Sequence, residues 1–214
     1  MSALVFDLDG TLVDSAPDMA EALNRVVAAR GLPGFAMADV RGFIGNGVGV
    51  LIRRAMAARG VDEAAFAEWH DAYMAAYADC ICVRTRLYPG VEQVLDGLAG
   101  RKLAICTNKP QALTDALLAA LGLRGRFAAV LGGDSEFGRK PDAGPLRRVA
   151  GLLGVGEAVM IGDSLIDSGA ASAMGWPMLL FTQGYRDRAP EAIPASARFT
   201  DWADFPAALQ GLGR

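Results

Sequence analysis

Short, uninterrupted apolar runs recur along the chain at residues 3 to 8 (ALVFDL), 103 to 107 (LAICT), 128 to 132 (AAVLG), 158 to 162 (AVMIG) and 177 to 181 (PMLLF). Runs of this length, closed by turn residues, predict strands buried on both faces. Between them, residues 90 to 99, 111 to 122, 142 to 153 and 167 to 174 carry apolar positions at helical spacing. Strand and helix in alternation predict an α/β fold, a doubly wound parallel sheet with helices on both faces.

One connection breaks the rhythm. No convincing strand follows Asp9 until about Leu103, whereas loops between strand and helix in such folds run about 2–6 residues. Within this stretch, residues 17 to 30, 47 to 59 and 63 to 79 have helical spacing, punctuated by Gly31, Gly60 and the Tyr88-Pro89-Gly90 turn. The expectation is a helical insertion at residues 15 to 87 within a core made of residues 1 to 14 and 88 to 214. Both crossings lie beside the end of the first strand, which puts the bundle above that edge of the sheet.

Composition narrows the functional classes. The chain has 214 residues, a 52% apolar content and a formal net charge of -3, so it lacks the clustered surplus of Lys and Arg that nucleic acid requires. Cys80, Cys82 and Cys106 form no C-x-x-C pair and have no matching Cys/His set for zinc. The apolar start reaches Asp7 and Asp9 too soon for a signal peptide, and nothing later matches a membrane span. A cytoplasmic protein with reduced thiols, no membrane partner and no nucleic-acid partner is expected; oligomeric state is not legible.

Open α/β sheets bind ligands beyond the carboxyl ends of their strands. There the chain places DLDGT (7 to 11), TNKP (107 to 110), GRKP (138 to 141) and GDSLID (162 to 167). Asp7 and Asp9, two apart in extended chain, address the same side. Neighbouring carboxylates resist joint ionisation, which suits Asp7 as nucleophile and Asp9 as general acid and base. A carboxylate approaching a phosphate dianion needs nearby positive charge. Mg2+ held by Asp7, the Asp9 carbonyl and Asp163 would supply it, with Lys140 as a fixed ammonium and Thr107 and Asn108 as donors to the transferring group. Asp167, with Ser164 beside it, either orients Asp163 and the metal waters or caps the following helix.

These four segments in this order resemble the haloacid dehalogenase-like hydrolase superfamily over nearly the whole chain. The resemblance implies a Rossmann-like core with an inserted α-helical cap, a phosphorylated nucleophile at Asp7, an acid/base at Asp9, a magnesium ligand at Asp163 and phosphate contacts at Thr107, Asn108 and Lys140. DLDGTLVDSAPD (7 to 18), FIGNGV (43 to 48), YPGV (88 to 91), CTNKP (106 to 110) and GGD (132 to 134) resemble its phosphoglycolate phosphatase subgroup, which implies a small phosphorylated metabolite as substrate. KPDAGPL (140 to 146) and LID (165 to 167) depart from that subgroup's usual strings. A sugar-phosphate phosphatase, a phosphomutase of the β-phosphoglucomutase kind and a phosphate-binding module without turnover share the same motifs.

Other motifs carry less. Gly45 and Asn46 open a cap helix whose exposed amides could meet the non-phosphate end of a substrate or merely form a turn. The stretch from Gly133 to Lys140 imitates a P-loop, but Arg139 and Pro141 stand where such a loop needs its lysine and hydroxyl. His70 is given no role, Arg53 and Arg54 on the cap either neutralise a substrate carboxylate or form a solvated face, and Cys106 reads as a small apolar residue inside its strand.

Overall fold

The computed structural model describes residues 3–185 and 188–213. Its centre is a parallel sheet of β1 (Ala3–Phe6), β4 (Leu103–Cys106), β5 (Ala129–Leu131), β6 (Ala158–Gly162), β7 (Met178–Phe181) and β8 (Ala197–Phe199), in the order β5-β4-β1-β6-β7-β8. Every pairing is parallel, with Phe6 opposite both Ile105 and Ile161. Chain order reverses at β1, whose neighbours are β4 on one side and β6 on the other. That reversal opens a crevice beyond the end of β1, and Asp7 is the next residue.

Side chains alternate across each strand, so each face of the sheet acquires its own core. Leu4, Phe6, Ile105, Ile161 and Phe181 face Trp202 and Phe205 on one side. Ala3, Val5, Ala104, Cys106 and Met160 face Leu146, Val149 and Ala170 on the other. Cys106 is buried, and burial pushes its thiol up to about 12, in keeping with an inert packing residue. Phe6 is fully buried among Phe127, Trp202 and Phe205; truncating it to alanine would cost about 3–5 kcal/mol.

Helices α5 (Val91–Gly97), α6 (Gln111–Ala120), α7 (Ala143–Leu153) and α8 (Leu165–Met174) connect the strands, close to the predicted spans. The antiparallel ribbon of β2 (Val13–Asp14) and β3 (Arg86–Leu87), strand β8 and helix α9 (Phe205–Gly211) were not anticipated by the apolar pattern.

Between the ribbon strands run α1 (Ala16–Ala28), α2 (Met37–Phe43), α3 (Val48–Ala58) and α4 (Phe66–Asp79). Leu23, Val27, Ile52, Met56, Trp69, Tyr73 and Tyr77 form a separate apolar cluster there, joined by Leu113 of α6. Buried Asp18 in the first turn of α1 accepts hydrogen bonds from the backbone N–H of Arg84 and Thr85 and from the Thr85 hydroxyl. The carboxylate thus ties the incoming chain to the outgoing one. Among the described residues no helix is long and apolar enough to cross a membrane.

Candidate active site

Asp7 leaves the sheet with its backbone N–H donated to Ile161 O at 2.8 Å, so the chain is still held in strand register as its carboxylate reaches the rim. Asp9 follows, and then Gly10 turns the chain at a φ of 86°. A Cβ at Gly10 would stand 2.6 Å from Asp163 Oδ2, and one at Gly184 would stand 2.3 Å from the same oxygen. Only bare backbone lets two loops close around Asp163 this tightly. Its Oδ1 accepts from the Thr11 hydroxyl at 3.0 Å, and its Oδ2 accepts from the backbone N–H of Tyr185. The hydroxyl of Tyr185 in turn donates to Asp14 and accepts from the backbone N–H of Ala16 at 2.9 Å.

Asp167 joins the start of α8 to Asp163 and Lys140. Its Oδ2 accepts from the Ser164 N–H at 3.1 Å and the Ser164 hydroxyl at 2.6 Å, which satisfies the start of α8. The same oxygen accepts from Asp163 N–H at 3.3 Å, while Oδ1 takes the Lys140 ammonium at 2.6 Å. Asp167 is therefore saturated with donors, and its effect is to orient Asp163 and Lys140.

Lys140 Nζ also lies 2.8 Å from Asp7 Oδ1. That contact is ionic without being a well-directed hydrogen bond, since Asp7 Oδ1 is buried and has no hydrogen-bond partner. The Lys140 backbone is gripped by Asn108, whose Oδ1 accepts from Lys140 N–H at 3.0 Å and whose Nδ2 donates to Lys140 O at 2.9 Å and to Gly45 O at 3.4 Å. Asn108 thus holds Lys140 in place through its oxygen and one N–H, while its side chain also lines the cavity beside Asp7. Thr107 Oγ1 accepts the Lys109 N–H at 3.2 Å, which leaves its own hydroxyl proton to donate.

Oxygen atoms of Asp7, Asp163 and Asp167 lie within 4.8 Å of one another. Three carboxylates face one ammonium, so the cluster carries a surplus of two negative charges when all are ionised. Burial pushes the Asp7 carboxyl up to about 6, with Lys140 opposing and Asp167 and Asp9 adding to the rise. Burial, then the charges of Asp167 and Asp7, also holds the Asp163 carboxyl well above its usual range. At Lys140 burial acts in the opposite direction, yet Asp167 and Asp7 outweigh it and keep the ammonium charged. The ion pair is thus favourable seen from Lys140 and insufficient seen from Asp7, because one cation serves several anions. An all-oxygen cluster with a divalent surplus of negative charge and an orphaned Asp7 oxygen is a fit for a hard divalent cation. The Asp9 carboxylate stands outside the cluster, which leaves its backbone carbonyl as the atom expected to face a metal.

Asp9 is turned elsewhere. Its Oδ1 accepts from the Ser15 hydroxyl at 2.6 Å and from Lys109 Nζ at 3.1 Å, and Lys109 reaches on to the Tyr77 hydroxyl of α4 at 2.5 Å. Lys109 is 4% exposed, and burial lowers its affinity for the proton despite Asp9. Neither Lys109 nor Tyr77 was given a role from sequence. A lysine at the rim was a visible signal, since Lys102, Lys109 and Lys140 are the only lysines in the chain. Its partners across the insertion were not visible.

Asp7, Asp9, Thr107, Lys109 and Lys140 line a cavity of about 40 Å³, roofed by Met19, Val48, Leu51, Tyr73 and Tyr77. Gly45 and Ser164 also reach it, whereas Asn46 lines a separate cavity of about 80 Å³ with Arg54. Arg53 pairs with Glu63 and stacks on Phe66, and Arg54 donates to Gly42 O and Phe43 O. His70 lies beside Asp71 and Phe66 and lines a separate cavity with Asn108 and Arg139.

The chain resembles known proteins in both sequence and fold. The chain is 42% identical over 216 residues to the phosphoglycolate phosphatase of Cereibacter sphaeroides, covering 99% of each. The structure of a predicted phosphoglycolate phosphatase from Haemophilus somnus superposes with a TM-score of 0.92 at 32% identity, covering 98% of both chains. CbbY from Rhodobacter sphaeroides, solved in complex with phosphate, superposes with a TM-score of 0.85 at 25% identity over 100% of each chain. The family model of the haloacid dehalogenase-like hydrolases matches residues 1–175, and the chain belongs to that family.

Proposed function

We propose that the protein is a Mg2+-dependent phosphatase that hydrolyses 2-phosphoglycolate to glycolate and phosphate through an aspartyl-phosphate on Asp7. The observation that carries this reading is the half-buried Asp7 carboxylate, paired with Lys140 and lining a small cavity. Asp7, Asp163 and the Asp9 carbonyl would hold Mg2+. When bound, that ion supplies positive charge to the phosphoryl oxygens and to Asp7.

In the first step an Asp7 oxygen forms a bond to phosphorus as the bond to the ester oxygen breaks. The released electron pair stays on that oxygen, and Asp9 gives it a proton. In the second step water attacks phosphorus, Asp9 takes its proton, and the bond to Asp7 breaks to return the free carboxylate. Lys140 and the Thr107 hydroxyl neutralise and orient the phosphoryl group, while residues 15 to 87 act as a cap that excludes water.

Cavity size supports a small leaving group. A water needs roughly 10–15 Å³ of such space, so about 40 Å³ holds only a few water-sized groups, the phosphoryl site included. A two-carbon acid suits this space better than a hexose. The direct test is a panel of phosphate esters assayed with and without Mg2+. Magnesium-dependent release of phosphate, fastest from 2-phosphoglycolate, is expected. A higher kcat/KM for a sugar phosphate would overturn the substrate, and an isomerised product without free phosphate would point to a mutase.

A further inference from the structure

The mechanism above leaves three buried groups unused. Tyr73 is completely buried, lines the cavity, and its hydroxyl has no hydrogen-bond partner among the described residues. Tyr77, one turn along α4, accepts from Lys109 and has its own hydroxyl proton left over. Lys109 Nζ meets both Asp9 oxygens, at 3.1 and 3.3 Å, and donates to the Tyr77 hydroxyl, so it brings positive charge to the same corner. The tyrosine rings stand 5.7 Å apart, and both face the Asp9 side of the cavity.

We infer that Tyr73, Tyr77 and Lys109 form the subsite that receives the carboxylate of the substrate and so set specificity. The inference rests on the proposed 2-phosphoglycolate activity. A buried hydroxyl without a partner costs about 1–3 kcal/mol, so α4 is destabilised unless an acceptor arrives. A carboxylate is an acceptor with about four lone-pair sites and no proton to give, which matches two hydroxyls with protons to donate and an ammonium beside them. Burial, reinforced by the charge on Asp9, raises both phenols well above their ordinary value, so they remain donors throughout the neutral range. The remaining roof, Met19, Val48 and Leu51, is apolar and offers nothing to a sugar hydroxyl. Asn46, Arg53 and Arg54, the cap residues that sequence had brought forward, are directed elsewhere.

The test compares 2-phosphoglycolate with ethyl phosphate, which keeps the ester and the two-carbon length but ends in a methyl group. The native enzyme should favour 2-phosphoglycolate in kcat/KM by roughly 100-fold or more, because a site built of donors rejects a ligand that leaves them unpaired. Tyr73→Phe should cut that ratio by about tenfold, mainly through KM, and Tyr77→Phe should do the same. Tyr73→Phe should also melt no lower than the native protein, since the hydroxyl it removes has no partner to lose. Equal losses on both esters, or a ratio that does not move in either variant, would overturn the subsite while leaving the activity standing. A native enzyme that hydrolyses both esters equally well would overturn the substrate reading itself.

Discussion

The sheet rim and the helical insertion face one another across the cavity beside Asp7 and contribute opposite kinds of polarity to it. On the rim, Asp7, Asp163, Asp167 and Lys140 are full charges locked by one another and by backbone N–H groups. On the insertion, Tyr73 and Tyr77 are neutral donors set among Met19, Val48 and Leu51. Charge is placed where the parallel strands converge and where loops from four of them can share its desolvation. The insertion, a small bundle with its own apolar cluster, would have to move a buried charge through water each time it opened, a motion that neutral hydroxyls make far less costly. The contrast assigns reactivity to one wall and discrimination to the other.

The strongest challenge to this division is Asp7→Asn. It should lower kcat by at least about 10⁴-fold on every ester, because a nucleophile acts as part of a unit and its loss removes the unit. Its far-ultraviolet circular dichroism should match the native protein, and its stability without metal should not fall, since a buried carboxylate is replaced by a neutral amide. Residual turnover above one part in about a thousand would remove Asp7 from the role assigned to it.

Asp9→Asn comes next. A general acid and base contributes about 10²–10⁴-fold, so kcat should fall within that range. Loss should be smallest for esters whose leaving group needs no proton, such as a nitrophenyl phosphate. An equal loss for alkyl and nitrophenyl esters would mean that Asp9 acts by some other route.

The metal can be probed without activity. With the Asp7 carboxyl lifted from 3.8 to about 6, the folded protein binds more protons than the unfolded chain between those values. Stability of the metal-free protein should therefore fall as pH rises through that window. A divalent cation binds the deprotonated cluster, so the rise in Tm on adding Mg2+ should be several degrees at about pH 7.5 and markedly less at about pH 5. A shift independent of pH would place the ion elsewhere. The smallest effect is expected for Tyr185→Phe. It leaves the Ala16 N–H without its acceptor and should cost about 1–2 kcal/mol in denaturant titration, with little change in the preference among esters.

Legibility in the sequence follows the same divide. The strands β1, β4, β5, β6 and β7 were predicted because parallel strands buried on both faces are written as continuous apolar runs. Strand β8, three residues at the edge with Arg198 exposed, has no such run, and α2 buries only Val40. Asp7 and Asp163 directly follow β1 and β6, with Asp9 two residues beyond Asp7, so the strands announced them, whereas Lys140 was marked by the GRKP turn further along the loop after β5. The part played by Lys109 depends on Tyr77, 32 residues away, and on Asp9, 100 residues away. Those contacts exist only once α4 has folded over the rim, and no local pattern encodes that. Asn108 was legible as a site residue, but its partner was not, because whether an amide meets a ligand or a neighbouring loop is decided by how closely the loops approach.

The bare backbone at Gly10 and Gly184 bears on how the protein could be altered. A single methyl group at either place would intrude within 2.6 Å of Asp163, so the floor of the active site has no tolerance for new side chains, whatever their polarity. A designer or a mutational drift seeking a different leaving group has only the roof to work with. Variation among descendants of this chain should therefore collect on α1, α3 and α4, while the glycine turns beneath remain invariant.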